Sequence, residues 1–383
     1  MHCNKRWQYG VGVLAFVWSL GLSLPQAQAS PISCGAILGP GGNFVLDSDV
    51  GPCGGPGPAL TLISATLDLA GHTVSCSTTS IYGIEVEGKK SRVRNGAVSG
   101  CGNGVVLLDQ GSHEVREMTA AGNTAGFNVG SSRNKLTNNE ANGNEYVGFA
   151  VGGEHNQLTG NTASGNEFGF LFQGATNGLL SSNTATDNSN GFEMFGSSAN
   201  LLTSNTASDN KFSGFEGDLN TNNRWTGNTA SDNGEGFSFV GHMNDAWVGN
   251  IASGNGGFGF SFGDGMINSL DDNRASGNGF SGGGGGFGIE EPNDTVVENK
   301  ATDNIGAGFD LFDGASSNLL RVNQSLSNSG PGIRLNTGTT GNSIRNSKAL
   351  DNGSFDLEDD NLGCDANAWG SNTFGVANQG CIN

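Results

Sequence analysis

The chain has 383 residues, of which 66 are Gly and 22 are Phe, and its formal net charge is -19 with only 14% charged residues. Because Gly carries a high backbone entropy cost inside helices, this composition argues against an ordinary helical domain. The acidic balance, without a basic block in the sequence, argues against binding of nucleic acid or of an anionic membrane surface.

Residues 1–29 are predicted to be an export signal. A short basic start is followed by an apolar run over residues 11–24 and then by the small-residue sequence Ala27-Gln28-Ala29, the pattern of a signal peptide with its cleavage site. The apolar run is shorter than the ~20 residues that a membrane-spanning helix needs. We therefore expect a mature protein that begins near Ser30, is secreted or periplasmic, and has no membrane span after cleavage.

Six cysteines follow the leader, and an even number in an exported chain predicts disulfides. Six cysteines allow about 15 pairings, and the pairing of sequence neighbours is our prediction: Cys34 with Cys53, Cys76 with Cys101, and Cys364 with Cys381. A zinc site is the alternative, but no two of these cysteines form a C-x-x-C pair and His is scarce. The cysteines also mark two predicted caps, residues 30–80 and residues 359–383.

Between the caps, residues 81–358 repeat one pattern in which an apolar residue follows Gly, as in "NLLTSNTASDNKFSGF". Successive marker residues from Ile84 to Phe355 lie about 22.6 residues apart. This period is too short for paired-helix repeats and too long for the Ca-binding nonapeptide β-roll, and the spacing of leucine-rich repeats is absent. Alternation of period two within each unit predicts short strands. The sequence thus predicts a right-handed parallel β-helix of about thirteen coils.

Two Asn positions and one Phe position recur in the units. The Phe residues should stack inside the solenoid, and each Asn should occupy a corner, because Asn tolerates left-handed backbone and its amide can bond to the equivalent amide of the next coil. The predicted stack is Phe127, Phe149, Phe170, Phe192, Phe215, Phe237, Phe260, Phe287 and Phe309. The first Asn ladder is Asn139, Asn161, Asn183, Asn205, Asn228, Asn250, Asn273, Asn299 and Asn323. The second is Asn144, Asn166, Asn188, Asn210, Asn233, Asn255, Asn278, Asn304, Asn328 and Asn352.

The unit "N-x-L-x-x-N-x-A-x-x-N-x-x-x-G-F" resembles the parallel β-helix repeat of pectate-lyase-like proteins and of the NosD-like periplasmic group. The N-terminal sequences "CGAILGPGGNFVLDSDVGPC" and "LDLAGHTVSC" resemble those of secreted bacterial right-handed β-helix proteins. The resemblance implies that a polysaccharide would lie along the outer face of one sheet, here the one built from the Gly-Phe strands. The catalytic signatures of polygalacturonases, alginate epimerases and lyases have no matching positions in this chain, and the residues for a NosD-like copper role do not cluster.

Acidic residues should cluster on the outer face of the Gly-Phe strands. Glu193 and Glu216 occupy equivalent places in adjacent coils, and Asp218 follows two residues later on the same face. We expect Lys211 and His242 to lie nearby as candidate bases. These residues are the predicted catalytic set, and the three carboxylates could hold Ca²⁺ against an acidic sugar or act as the acid and nucleophile of glycoside cleavage.

A second predicted patch combines Asp310 and Asp313 with Glu290 and Glu291. Phe195 and Phe312 are candidate rings for stacking on sugars. From these features we predict a protein that binds an extended carbohydrate-type ligand on the outer face of the Gly-Phe sheet, with polysaccharide lyase, glycoside hydrolase or epimerase activity left open. A non-catalytic cell-surface, matrix or periplasmic protein is the alternative, and the oligomeric state is left open.

Overall fold

The computed structural model describes residues 31–280, 282–312 and 314–383. The predicted export signal, residues 1–29, lies outside the described residues. Each turn of about 22 residues contributes three short strands, and successive turns stack in parallel register. This architecture confirms the predicted right-handed parallel β-helix. Among the described residues the only helical segment is a single 3₁₀ turn, Leu362–Cys364, and none forms a helix able to span a bilayer.

The three sheets are named after the residue that each strand most often turns inward: the Gly-Phe sheet, the Leu sheet and the Ala sheet. In the described part of the chain the Gly-Phe sheet has 15 strands: Ala36–Leu38, Leu60–Ile63, Tyr82–Glu87, Asn103–Leu107, Ala125–Val129, Val147–Val151, Phe168–Gln173, Asn190–Phe195, Ser213–Asp218, Glu235–Val240, Phe260–Gly263, Phe287–Ile289, Phe309–Leu311, Ile333–Leu335 and Leu357–Asp359.

The Leu sheet and the Ala sheet share two long strands near the N-terminus, Arg92–Ser99 and Glu114–Ala121. The other strands of the Leu sheet are Asn43–Val45, Thr66–Asp68, Lys135–Thr137, Gln157–Thr159, Leu179–Ser181, Leu201–Thr203, Arg224–Thr226, Ala246–Val248, Ser269–Asp271, Thr295–Val297, Leu319–Arg321, Ser343–Arg345 and Ala368–Gly370. Those of the Ala sheet are Val50–Cys53, Thr73–Cys76, Glu140–Asn142, Thr162–Ser164, Thr184–Thr186, Thr206–Ser208, Thr229–Ser231, Ile251–Ser253, Arg274–Ser276, Lys300–Thr302, Gln324–Leu326, Lys348–Leu350 and Thr373–Phe374.

The coils begin earlier than predicted. Within the described residues the Gly-Phe sheet includes Ala36–Leu38 and Leu60–Ile63, which pair with each other and with the next strand in parallel register. Both strands fall in the segment 30–80 that was predicted as a cap, because Ala36 and Leu60 stand at the position where later coils have Phe. The coil count is therefore about 15 and not 13.

The predicted Phe stack is confirmed. From Phe127 to Phe309 the rings of adjacent coils lie with centroids 4.6–4.8 Å apart and planes within 3–8° of each other. The spacing equals that of paired strands, because every ring projects inward from the same register position. All nine rings are buried, so the stack forms one wall of a continuous apolar core.

Both predicted Asn ladders are also present. Asn161, for example, donates its side-chain N–H groups to the backbone oxygen of Leu136 and to the Oδ1 of Asn183, both at 3.0 Å. The ladder Asn was predicted to adopt left-handed backbone, and this is wrong. The residue before it does so instead, such as Ser182 with φ 55°. The Asn keeps ordinary backbone angles, and its amide instead satisfies buried groups of the coils on either side.

A third ladder was not predicted. It runs along the corner between the Gly-Phe and Leu sheets, and its side-chain oxygens accept from the backbone of the preceding coil, as in the other two ladders. The backbone N–H of Asn200, for example, donates to Asn223 Oδ1 at 2.9 Å. Its members are Asn134, Asn156, Asn200, Asn223, Asn268, Asn318, Asn342 and Asn367, interrupted by Gly178, Asp245 and Asp294.

The predicted disulfide pairing is confirmed. Cys34 bonds to Cys53 and Cys76 to Cys101 in the first coils, and Cys364 bonds to Cys381 after the last strand of the Gly-Phe sheet. Two of the bonds therefore cross-link the N-terminal end of the stack and one cross-links the C-terminal end. At each end a coil has a neighbour on one side only.

Candidate functional site

The predicted acidic pair forms on the outer face of the Gly-Phe sheet. Glu193 and Glu216 are register partners on neighbouring strands. Asn190 lies between them and donates its amide N–H groups to Glu193 Oε2 at 2.9 Å and to Glu216 Oε2 at 3.0 Å. Ser213 N–H in turn donates to the Oδ1 of Asn190 at 3.3 Å, which fixes the amide orientation. The two carboxylates are thus held side by side by one bridging amide.

A third carboxylate, which sequence analysis missed, joins this pair. Glu235 begins the next strand and is the register partner of Ser213. Burial raises the pKa of Glu235, and the charge of Glu216 raises it further. Burial likewise raises the pKa of Glu216, with added repulsion from Glu193 and Asp218. Glu216 and Glu235 are therefore carboxyls that hold a proton more readily than an ordinary Glu does.

Glu235 lines a cleft of about 360 Å³ at the corner where the Ala sheet turns into the Gly-Phe sheet. Lys211 and Phe212 line the same cleft, with the Lys211 ammonium 4.7 Å from the centre of the Phe212 ring. Lys211, which was predicted to lie near the acidic set, thus shares a cleft with Glu235. Gly256, Gly257 and Gly283 also line the cleft, and their lack of side chains leaves it open.

A second cleft of about 460 Å³ follows along the same corner, and Gly283 lines both clefts. Its aromatic wall is formed by Phe258 and Phe312, whose rings meet edge to face at 5.9 Å. Gly288 leaves room for the Phe258 ring, since a side chain there would lie 3.2 Å from it. The two clefts together, here called the groove, cross six successive coils between Lys211 and Arg334.

Arg334 supplies the charged end of the second cleft. Its Nε and Nη2 donate to the two carboxylate oxygens of Asp310 at 2.9 and 2.7 Å, and Asn336 donates to Asp310 Oδ1 at 2.6 Å. Asp310 is buried, whereas Arg334 is about one-third exposed. The predicted ligand residue Asp310 therefore acts first as the anchor that orients Arg334.

Two predicted site residues lie elsewhere. The prediction that His242 stands near the acidic set is wrong, because its side chain is fully buried among Phe239, Trp247 and Phe262. The prediction that Glu291 belongs to a surface patch is also wrong. Its side chain is fully buried, with Oε1 at 3.3 Å from His242 Nε2. His242 lies in the turn after Val240, and Glu291 follows the exposed Glu290. At both positions the chain directs the side chain into the interior.

The interior around these residues contains four ionisable groups. Burial lowers the pKa of His242 to about 4 and raises the pKa of Asp245 to about 6. Burial, together with Glu291, raises the pKa of Asp294 to about 9, and burial raises the pKa of Glu291. His242 and Asp294 are therefore uncharged near neutral pH. The cluster of His242, Asp245, Glu291 and Asp294 is enclosed within the solenoid.

The remaining predicted site residues are on the surface or outside the described residues. Phe195 and Glu290 are exposed, and Phe195 is the register partner of Asp218 at the far edge of the Gly-Phe sheet, outside both clefts. Asp313 lies outside the described residues. Within the described ranges no group of three or more His, Cys, Asp or Glu residues is placed to hold a metal ion. Calcium therefore enters below only as a variable of the binding experiment.

Comparison with known proteins gives one family. The model of the family described as the right handed beta helix region matches residues 82–251 and 248–378. No curated protein sequence matches the chain.

Several solved structures are similar to this chain. The A-module of the mannuronan C-5 epimerase AlgE6 of Azotobacter vinelandii has a TM-score of 0.45 at 16% identity, with 80% of this chain and 89% of the module covered. The Dettilon tailspike protein has a TM-score of 0.45 at 14% identity, with 76% of this chain and 60% of the tailspike chain covered. The periplasmic alginate epimerase AlgG has a TM-score of 0.44 at 12% identity, with 84% and 77% covered. Similarities this loose carry no conclusion about function.

Proposed function

This chain belongs to the right handed beta helix family, and from the geometry of its surface we propose that it binds an extended carbohydrate in the groove beside the Gly-Phe sheet. Family membership accounts for the solenoid, whereas the function has to come from the side chains that the solenoid presents.

The observation that carries the proposal is the continuity of the groove. Two clefts of about 360 and 460 Å³ meet at Gly283. With neighbouring strands about 4.8 Å apart, six coils give the groove a length of about 24 Å. A groove of this length suits a chain-like ligand better than a compact one. The glycines that line it allow the ligand to approach the backbone closely.

The chemistry of the groove suits sugars. Phe212, Phe258 and Phe312 offer aromatic faces and edges to the apolar faces of sugar rings. Lys211 and Glu235 at one end and Arg334 at the other provide separated hydrogen-bonding groups that can fix the orientation of hydroxyl groups. A largely apolar lining with a few placed polar groups is typical of a ligand site.

Glycoside cleavage is a second candidate function, favoured by the state of the carboxyls. Because burial and mutual repulsion raise the pKa values of Glu216 and Glu235, either can remain protonated at a pH at which an ordinary Glu is ionised. In this role Glu235, which faces the cleft, would donate a proton to the glycosidic oxygen. Glu193, held beside Glu216 by Asn190, would supply the partner carboxylate.

We also propose that the protein works outside the cytoplasm. The three disulfides of the structure require an oxidising compartment to form and persist. This agrees with the export signal predicted for residues 1–29. Reductive alkylation of protein purified from culture medium and from periplasm would show where the fully oxidised form accumulates.

Calorimetric titration with hexasaccharides of glucose, N-acetylglucosamine, galacturonate and mannuronate, each with and without Ca²⁺, tests binding. We expect saturable binding of at least one of them and a loss of at least tenfold in affinity for Phe258→Ala. Tyr82→Ala, an exposed aromatic residue on a distant coil of the same sheet, should leave the affinity unchanged. Binding of none of the sugars, or equal loss in both variants, would refute the proposal.

Turnover is tested on the same panel by chromatography of the products. If the protein cleaves the bound sugar, Glu235→Gln should remove cleavage and keep binding within about threefold, because the amide preserves the shape of the side chain but cannot transfer the proton. Glu140→Gln, on the exposed outer face of the Ala sheet, is the matched control. Unchanged cleavage by Glu235→Gln would exclude Glu235 as the acid.

A further inference from the structure

Positive charge is concentrated in one part of this acidic protein. Residues 89–135 contain seven of the 17 basic residues but only three acidic ones, whereas the whole chain has a net charge of -19. The basic residues are Lys89, Lys90, Arg92, Arg94, Arg116, Arg133 and Lys135. They are spread over the sequence without forming a block, so only the fold shows that some of them meet.

The solenoid brings three of these arginines to one place on the outer face of the Leu sheet. Arg94 and Arg116 are register partners on adjacent strands, and Arg92 is the register partner of Glu114. All three line a cleft of about 230 Å³, together with Asn43, Thr66 and Glu114. Like charges placed directly opposite each other on neighbouring strands repel, and an anion bound between Arg94 and Arg116 would relieve this repulsion.

The arginines keep most of their hydrogen-bond donors free. Arg94 Nε donates to Asp68 Oδ2 at 2.9 Å, and Arg92 Nε lies 3.2 Å from Glu114 Oε2. Arg116 is no closer than 3.9 Å to its nearest carboxylate, Glu117. Among the described residues, the bond from Arg94 is the only hydrogen bond to a protein group from any of the three guanidinium groups. Each guanidinium has about five N–H donors in a planar fork that matches oxyanions.

Burial also distinguishes this cleft from a solvated charged surface. The side chains of Arg94 and Arg116 are only 40% and 38% exposed. Their charges are therefore partly desolvated, which strengthens their attraction for an anion. The patch covers about four strands, or about 15 Å at the usual strand spacing. This length suits one small anionic group and is too short for a nucleic acid duplex.

We propose that this cleft is a second ligand site, separate from the groove, which binds one carboxylate, sulfate or phosphate group between Arg94 and Arg116. Arg92, Asn43 and Thr66, which line the same cleft, offer further hydrogen bonds. The ligand is an oxyanion, either as a free ion or as the substituent of an acidic sugar. The site lies on a different sheet from the groove, so it does not depend on the function proposed above.

The test is titration of the intact mature protein with sodium sulfate, sodium phosphate and glucuronate at constant ionic strength, with chloride as the reference. We expect saturable binding of at least one anion and a loss of at least tenfold in affinity for Arg116→Gln. Tighter binding of glucuronate than of either inorganic ion would identify a sugar substituent as the ligand, and the reverse order would identify a free ion.

The matched control is Arg345→Gln. Arg345 also lies on the outer face of the Leu sheet in register with another arginine, Arg321, but it is on a distant coil and is exposed. Its substitution removes the same charge and should leave the affinity unchanged. Absence of saturable binding, or equal weakening by Arg116→Gln and Arg345→Gln, would overturn the proposal, because the second result would show only a general effect of net charge. Equal unfolding midpoints of the two variants would show that both keep the fold.

Discussion

Two stretches of the same solenoid differ in how strictly the repeat is kept. In residues 125–237, here called the regular region, the Phe stack and the first two Asn ladders repeat the same residue type in every coil. In residues 238–336, the irregular region, the two Asn ladders continue and the Phe stack runs on to Phe309, after which Ile333 takes its place. In the third ladder Asp245 and Asp294 replace Asn, whereas in the regular region only Gly178 interrupts it. The corner of the irregular region also contains the glycine-rich sequence 282–286.

The difference separates what holds the fold from what can bind. A position that repeats in every coil is explained by its contacts with the coils on either side. The departures have no such explanation, and most of those that shape the groove, including Gly283, Phe258 and Arg334, fall in the irregular region. Departures from local rules are where functional or strained sites are expected.

Removal of a ring from the Phe stack should have the largest effect. Phe192 is fully buried and stacked on both sides. Phe192→Ala should lower the free energy of unfolding by about 3–5 kcal/mol through lost burial and the cavity left behind. Phe195→Ala, three residues later on the same strand but exposed, should change it by less than about 0.5 kcal/mol. Urea unfolding followed by circular dichroism compares them, and equal effects would contradict the stack.

The Asn ladder of the regular region should not tolerate a carboxylate. The Asn183 side chain donates to Leu158 O at 2.9 Å and to Asn205 Oδ1 at 3.0 Å. Asn183→Asp loses both donors and leaves buried acceptors unpaired, so we expect a loss of at least about 2 kcal/mol at neutral pH. The same urea experiment measures it. An unchanged free energy of unfolding would mean that the side-chain hydrogen bonds of the ladder do not stabilise the fold at that position.

The reverse change in the irregular region should stabilise the protein. Asp294 accepts from Asn268 N–H at 2.8 Å as a ladder Asn would, but its Oδ2 is buried without a hydrogen-bond partner. Asp294→Asn supplies a donor that does not require uptake of a proton and should raise the free energy of unfolding by about 1 kcal/mol at pH 8. Asp232→Asn, at an exposed corner position, is the control and should have little effect.

The stabilisation by Asp294→Asn should depend on pH with a defined sign. The pKa of Asp294 is raised from 3.8 to about 9, so the folded protein holds this proton more tightly than the unfolded chain. Its contribution to stability is complete below about pH 4 and is lost as pH rises toward about 9. The advantage of Asp294→Asn should therefore grow from pH 5 to pH 9 in thermal unfolding scans. An advantage that stays constant over this range would show that Asp294 is ionised in the folded protein, and would contradict the raised pKa.

The smallest effect on stability is expected from substitution of the threonines that align on successive strands of the Ala sheet. Thr184 and Thr206 are register partners on the outer face, and their alignment follows from the repeat alone. Thr184→Ala should change the unfolding midpoint by no more than about 1 °C, since surface substitutions are usually near neutral. A large loss would mean that this outer column, like the interior columns, stabilises the stack.

Sequence reasoning reached the interior of the regular region because the chemistry there is local and repeated. Each Phe and each ladder Asn could be identified from its distance to the next. The third ladder was missed because Gly178, Asp245 and Asp294 interrupt it, so its spacing does not stand out. The cysteine pairing followed from proximity along the chain.

The surface was predictable only where strands alternate regularly. Glu193 and Glu216 were placed correctly as neighbours, because one repeat unit separates them. Glu235 was missed because it stands at the first position of its strand, before the Gly-Phe marker. The groove itself depends on which corners carry glycine and how far neighbouring rings such as Phe258 and Phe312 reach across coils, which spacing in the sequence does not encode.

The central claim, that a carbohydrate lies in the groove, is tested most directly by hydrogen exchange with and without the hexasaccharide that binds most tightly. We predict slower exchange of backbone amides at residues 211–213, 234–235, 256–258 and 305–307, which line the two clefts, and no change on the Leu sheet. Protection confined to the Leu sheet, or spread evenly over all coils, would contradict the account.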